Sequence, residues 1–244
     1  MFLSGTLLNV ATVLVGTTIG LLAGGRVPPR MRASLTTGLA FFTLVIALAM
    51  ALPILGEQAQ PGDELAVLAA LLGGVALGEV LRLHDGLEGL GAWFQDHLAR
   101  NGEPSRVAEG FITASLVFCV GPLTILGSIQ NGLDGDVTLL ATKSLLDGVA
   151  SIAFAAALGA GVYLSALTVL VVQGGIATGA FVLSDVMDDR TVLAITAAGG
   201  LILLGVALRL LELKPVRVAS FLPALVLAPV FLRVADAIRS WLPG

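Results

Sequence analysis

The sequence predicts an all-α polytopic membrane protein with seven or eight transmembrane spans. Of its 244 residues, 57% are hydrophobic and 12% are charged, and the mean hydropathy is +0.99. A water-soluble chain of this size would need far more charge to cover its surface. Long charge-free intervals alternate with short polar ones, and about 20 apolar residues are enough to cross the hydrocarbon core as a helix.

Charge-free intervals define the first three spans. Met1 to Gly25 and Ala33 to Gly56 carry no charged residue, and the third span, Leu65 to Leu81, ends beside Arg82. The arginine side chain can extend from that position to the membrane surface. No basic segment precedes the first apolar run, so we expect this run to be retained and not cleaved as a signal peptide. Residues 1–82 form a first predicted three-helix repeat.

A polar segment and a broken helix follow the first repeat. Residues 83–107 are predicted to lie on the cytoplasmic membrane surface, because apolar side chains recur there at roughly helical spacing. Residues 108–136 are predicted to form a fourth span, a linker helix that Gly121 and Pro122 break.

The remaining residues predict a second repeat and a final segment. Residues 137–213 supply the fifth to seventh spans. The 37 charge-free residues from Gly148 to Ser184 exceed one crossing, so the fifth span should end near Gly159 to Gly161. Residues 214–244 contain an eighth segment whose internal prolines would bend or break it, so that it either crosses or is re-entrant.

A short sequence repeat supports the division into two halves. The hexapeptide GEVLRL ends the third span at residues 78–83, and GVALRL ends the seventh at residues 205–210. A Gly-Gly pair precedes each hexapeptide. Parallel repeats of this kind are familiar in transporters. Chance similarity between glycine-rich helices is the alternative.

Basic residues in the short loops predict the orientation. Nine of the thirteen Lys and Arg residues follow odd-numbered spans, and they are Arg26, Arg30, Arg32, Arg82, Arg100, Arg106, Arg209, Lys214 and Arg217. The loops on the other side are rich in Asp and Glu. The positive-inside rule therefore predicts that the amino terminus is outside. Arg233 and Arg239 oppose this trend if the eighth segment crosses.

Four sequence stretches also carry a resemblance to a known family. They are GTLLNVATVLVGTTIG (5–20), GFITASLVFCVGPLTILGSIQNGLDGD (110–136), KSLLDGVASIAFA (143–155) and FLPALVLAP (221–229). Together they resemble the YqgA-like family of bacterial multipass membrane proteins, whose shared domain is domain of unknown function 554. The resemblance implies a bacterial cytoplasmic (inner) membrane protein and favours a transporter. It supplies no established substrate or catalytic residue.

Lys143 and Asp147 are the principal candidates for a functional site. A lone charge near the centre of the bilayer costs about 2.5 to 3.5 kcal/mol. Residues four apart lie on one face of a helix, where the two charges can neutralise each other. The pair could face a polar pathway, or it could be a structural ion pair, with a lysine that extends to the external surface as a further alternative.

Other polar residues could line the same pathway. A break at Gly121 and Pro122 would free backbone carbonyls, which bind cations or polar solutes in other transporters. The predicted pathway also includes Asn9, Ser128, Gln130, Ser144 and Gln173, and its external mouth Asp134 and Asp136. Hydrogen bonds between helices, close packing at glycine and a solvated loop are the structural alternatives. Glu79 is expected to pair with Arg82.

Enzyme activity is not expected. His84 and His97 lie in the polar segment without the spacing of a metal site, and Cys119 is the single cysteine. No nucleotide-binding glycine motif is present. The sequence therefore predicts no cofactor, no metal and no nucleic-acid partner.

The predicted function is a membrane transporter or channel for a small ion or polar solute. The expected partners are the lipid bilayer, the solute and a second copy of the chain, joined as a homodimer through small-residue helix faces. The alternative is a non-transporting membrane structural or assembly protein, in which segment 83–107 docks a cytoplasmic partner.

Overall fold

The computed structural model describes residues 3–24, 28–86, 89, 104–120, 122–183 and 187–241. Within these ranges every regular element is helical, which confirms the predicted all-α polytopic fold. Among the described residues, the α-helices in chain order are α1 (Ser4–Gly24), α2 (Pro29–Ala51), α3 (Asp63–Val80), α4 (Pro104–Cys119), α5 (Pro122–Asp134), α6 (Thr138–Leu158), α7 (Val162–Thr178), α8 (Ala180–Leu183), α9 (Asp189–Leu210) and α10 (Pro223–Trp241). Most of the predicted surface segment 83–107, and Gly121, lie outside the described residues.

Six predicted crossings have the length and composition of membrane spans. Among the described residues, the helices that pass alone are Ser4–Gly24, Ala33–Leu55, Thr138–Leu158, Asp189–Leu210 and Val218–Ser240. The bent pair α4 and α5 forms the sixth. Two more helices correspond to predicted spans: α3, which has acidic residues at both ends, and α7, which has 17 residues. These two account for the difference from the seven or eight spans that the sequence predicts.

The boundary between the fifth and sixth spans lies where the sequence predicts it. Helix α6 ends at Leu158, and α7 begins at Val162. Gly159 has a φ of +87°, a left-handed conformation that favours glycine at the end of a helix. A side chain at Gly161 would collide with the carbonyl group of Val107 in α4. Gly159 and Gly161 therefore allow the tight turn between α6 and α7.

The final segment is a continuous helix, and the structure does not support the re-entrant alternative. Pro223 is the first residue of α10, where a missing N–H costs nothing. Pro229 lies inside the helix and does not end it. The prolines therefore do not break this segment, so that, of the bend or break expected from sequence, the break is wrong.

Helix α10 runs along α3 in the opposite direction. Near the start of α10, a side chain at Gly74 of α3 would collide with Ala224. Near the end of α10, the guanidinium group of Arg239 donates to Gln60, just before α3 begins, at 2.9 Å. The two ends of α10 therefore lie at opposite ends of α3, as expected for a helix that crosses.

Charged side chains join α3, α9 and α10 at one end of the helical bundle. We call this end of the bundle the acidic end. The first residues of α1 and α6 also lie at this end. Arg190 donates to both carboxylate oxygens of Asp63, at 2.6 and 2.9 Å, and to Asp236 at 2.8 and 3.0 Å. Asp63 is fully buried and also lies 3.4 Å from Arg239. The arginines satisfy a carboxylate that would otherwise be costly to bury.

The two arginines that oppose the predicted orientation both have acidic partners at the acidic end. Arg239 lies near Asp63 and 3.6 Å from Asp236, and Arg233 lies 4.0 Å from Asp188. Their charges are at least partly balanced by these neighbours. They therefore do not argue against a crossing by α10.

The opposite end of the bundle has its own charged contacts. Glu79 accepts from Arg217 at 3.0 Å and from the hydroxyl of Ser220 at 2.6 Å. Arg217 also pairs with Asp85. The expected partner of Glu79, Arg82, is thus replaced by a residue from the loop before α10. Sequence spacing identifies neighbours within one helix and could not identify this long-range partner.

Glycines bring α1 and α6 into close parallel contact. A side chain at Gly16 would collide with the backbone of Gly148, and one at Gly20 would collide with the backbone of Ile152. Gly24, one turn further along α1, faces Ala156 in the same way. Small residues at four-residue spacing let helix backbones approach closely in a membrane. This small-residue face of α1 is therefore occupied within the chain.

Candidate functional site

Lys143 and Asp147 form a buried ion pair inside α6. The Lys143 Nζ atom donates to the two carboxylate oxygens of Asp147 at 2.9 and 2.7 Å. The two side chains are 8% and 6% exposed. The i, i+4 spacing thus produces the mutual neutralisation that it predicts.

Asn9 of α1 provides a second contact for Asp147. Its Nδ2 atom donates to Asp147 Oδ2 at 2.9 Å. Asn9 is fully buried, and its Oδ1 atom has no hydrogen-bond partner among the described residues. The close packing of α1 on α6 makes this contact possible. Asp147 is consequently held from two helices, while one amide oxygen beside it stays available.

Helix α5 brings Ser128 towards the same part of α1. Asn131 Oδ1 accepts a hydrogen bond from the backbone N–H of Gly5 at 3.2 Å, which places the end of α5 beside the start of α1. Ser128 lies one turn earlier on the same face of α5. Its side chain is fully buried, and its hydroxyl has no hydrogen-bond partner in the part of the chain that the structure describes.

Helix α7 contains a further buried polar residue, Gln173. Gln173 is fully buried, and neither its amide oxygen nor its amide nitrogen bonds to any residue that the structure describes. A Cβ atom at the adjacent Gly174 would lie 3.9 Å from the methyl group of Thr6, so this turn of α7 meets the first turn of α1. The Thr6 hydroxyl is also buried and unpartnered.

We use the name polar cluster for six buried polar residues of these four helices, of which Asn9, Lys143 and Asp147 are joined by hydrogen bonds. It comprises Thr6, Asn9, Ser128, Lys143, Asp147 and Gln173. Leaving a buried polar group without a hydrogen bond costs about 1 to 3 kcal/mol, and native structures contain few such groups. The polar cluster therefore combines a buried ion pair with several buried polar atoms that lack a hydrogen-bond partner among the described residues. Asn9 and Lys143 each lie five residues into their helices, roughly 7.5 Å from the acidic end.

The predicted break in the fourth span is present. Helix α4 ends at Cys119, α5 begins at Pro122, and the two helices are bent by 60°. Pro122 has no N–H to donate to the carbonyl of Phe118. The hydroxyl of Thr124 donates to that carbonyl instead, at 3.0 Å. The carbonyl that the proline frees is therefore bonded within the chain. The prediction that it would be open to a ligand is wrong for Phe118.

The Thr124→Val substitution should lower the free energy of unfolding by about 1 to 2 kcal/mol, because it leaves the buried Phe118 carbonyl without a donor. Thr37→Val is a matched control, since the exposed Thr37 hydroxyl bonds a carbonyl within its own helix. Detergent-solubilised protein unfolded with SDS and followed by circular dichroism would measure both changes. Equal stability of the two variants would contradict a structural role for the Thr124 hydroxyl.

The other predicted site residues do not join the polar cluster. The Ser144 hydroxyl donates to a carbonyl one turn earlier in α6, at 2.6 Å. Gln130 lies on an exposed face of α5, and Asp134 is exposed at the end of that helix. Asp136 accepts from the backbone N–H and the hydroxyl of Thr138 at 2.9 and 2.7 Å. These two hydrogen bonds hold the pKa of Asp136 below its usual value.

Comparison with known proteins identifies the family. The family described as "Protein of unknown function (DUF554)" matches residues 4–233. The "Uncharacterized membrane protein YdfK" of Bacillus subtilis (strain 168) is 29% identical over 233 residues, which cover 96% of this chain and 97% of the relative. The "Uncharacterized protein YqgA" of Escherichia coli (strain K12) is 29% identical over 227 residues, or 92% and 94% of the two chains. No solved structure matches the chain. The protein is therefore a member of the DUF554 family of multipass membrane proteins.

Proposed function

We propose that this protein is a transporter or channel for a small ion or polar solute, and that the polar cluster is part of its pathway. The supporting observation is the buried Lys143–Asp147 pair, which Asn9 contacts from α1, together with the buried polar atoms of α1, α5 and α7 that have no hydrogen-bond partner among the described residues. Ionisable residues inside a membrane are costly, and they commonly mark ion or substrate pathways. A purely structural pair would not require the buried, unbonded amide of Gln173.

The cluster is closed in this conformation. Both charged side chains are almost completely buried, and each is the other's partner. Transport therefore requires a second conformation in which the pair separates or becomes accessible. We place the acidic end outside a bacterial cytoplasmic membrane, where Asp134 and Asp136 would raise the local concentration of cations. The homodimer predicted from sequence is part of this proposal.

Flux measurements on purified protein in proteoliposomes would test the proposal. The panel contains monovalent cations, protons and small organic acids. Wild-type protein should pass at least one of them, and the Lys143→Ala, Asp147→Asn double variant should abolish that flux, because it removes both ionisable groups from the proposed pathway. Leu146→Ala, at an exposed apolar position of α6, is the control and should retain flux.

Two results would count against the proposal. Undiminished flux in a folded double variant would remove the pair from the pathway. The absence of flux for every solute, in a folded preparation, would favour the non-transporting assembly protein. The fully paired, buried state of Lys143 is the observation that supports this alternative.

A further inference from the structure

We infer that the polar cluster is a binding site for a monovalent alkali cation, and that the Lys143 ammonium group competes with this cation for Asp147. The inference rests on the proposed function, because it specifies the class of ion that the same site takes. The lysine acts as a tethered cation that occupies the site when the alkali cation is absent.

The available ligand atoms are oxygens, as a hard cation requires. The carboxylate of Asp147 is charged. The neutral oxygens are the amide Oδ1 of Asn9, the amide Oε1 of Gln173 and the hydroxyls of Thr6 and Ser128. Each of these four neutral oxygens belongs to a buried side chain and, within the described ranges, has no hydrogen-bond partner. A bound cation would satisfy atoms that the lysine leaves without a partner.

Charge balance favours a monovalent cation. The cluster contains one carboxylate, Asp147, and one counter-charge, Lys143. Replacing the ammonium by one monovalent cation preserves this balance at a buried position. A divalent cation would leave an uncompensated charge, which is expensive in a low-dielectric environment.

The contacts also indicate which partner moves. Asp147 has a short side chain that the Nδ2 atom of Asn9 holds from α1. The hydrogen bonds from Lys143 Nζ all go to Asp147, and its long side chain can adopt many conformations. Lys143 lies five residues from the start of α6, so its ammonium can extend towards the acidic end. Asp134 and Asp136 lie before the start of α6, and their carboxylates would attract the Lys143 ammonium group towards the acidic end.

Cation-dependent melting of the purified protein in detergent would test the inference. Melting temperatures are measured in chloride salts of lithium, sodium and potassium, with N-methylglucamine chloride holding the ionic strength constant. At least one alkali cation should raise the melting temperature saturably in the wild type. Asp147→Asn should abolish the effect, whereas Leu146→Ala should retain it.

The Lys143→Gln variant tests the competition directly. If the lysine occupies the site about nine-tenths of the time, its removal should strengthen cation binding about tenfold, because apparent affinity falls with the fraction of competent sites. Unchanged or weaker cation binding by a folded variant would overturn the competition.

Gln173→Leu provides a second test that keeps the ion pair intact, and it applies even if Lys143→Gln does not fold. It should weaken cation binding about tenfold, through loss of one ligand. Equal melting temperatures in all four salts, for the wild type and both variants, would overturn the cation site. If the melting temperatures are equal in all four salts but another solute shows flux, the cation site is wrong and the proposed function is still supported. Cation-dependent melting without any flux would support the site and count against transport.

Discussion

Replacing Lys143 by methionine should lower the free energy of unfolding by about 3 to 5 kcal/mol, because it removes one partner of a buried ion pair. Asp147 would keep its hydrogen bond from Asn9 but would lose both hydrogen bonds from the ammonium group. Unfolding with Tris dodecyl sulfate in N-methylglucamine chloride, which excludes alkali cations, followed by circular dichroism, would measure the loss.

The double variant Lys143→Met, Asp147→Asn should recover most of this stability. Both charges are then absent, so no uncompensated charge stays buried in the apolar bundle. Leu146→Met is a control for the introduction of methionine at an exposed position of the same helix. If the single and double variants lost the same stability, the energy would come from lost packing and not from an unpaired carboxylate.

The ion pair and the helix boundaries were predictable because their signals are local. Lys143 and Asp147 are four residues apart, and one helical turn brings such residues together. Gly159 to Gly161 interrupt a charge-free run too long for one crossing, and the structure ends α6 there. These features depend on periodicity and length, which a single sequence contains.

Asn9 was predicted from sequence as a pathway residue, but its contact with Asp147 was not predictable, because the two residues come from distant parts of the chain. Asn9 meets Asp147 across 138 positions, and Arg190 meets Asp63 across 127. Nothing in the spacing of these residues specifies their contact. Thr6 did carry a signal, since it lies three residues before Asn9 and therefore on a neighbouring position of the same helix face.

The proline positions show the limit of a local rule. Pro122 interrupts the fourth span, whereas Pro229 lies within a continuous α10. Both residues remove a backbone donor. At Pro122 the Thr124 hydroxyl satisfies the freed carbonyl at a bend of 60°. The outcome of a proline in a membrane helix thus depends on its surroundings, which the sequence rule does not include.

Gly16→Ala should lower the free energy of unfolding by about 3 kcal/mol, at the upper end of the usual cost of overpacking. The added methyl group would collide with the carbonyl oxygen of Gly148 and the hydroxyl of Ser151. A backbone carbonyl cannot turn aside as a flexible side chain can, so α1 must move away from α6. The same SDS unfolding measurement would detect the loss.

Gly38→Ala is the matched control, because a methyl group there meets no atom within 4 Å. Alanine is the better helix former, by about 0.5 to 1 kcal/mol, so this variant should be as stable as the wild type or slightly more stable. The displacement caused by Gly16→Ala should also weaken the contact between Asn9 and Asp147, two turns along α1, and should therefore reduce flux. A Gly16→Ala protein as stable as Gly38→Ala would show that α1 and α6 are not held as closely as their glycines allow.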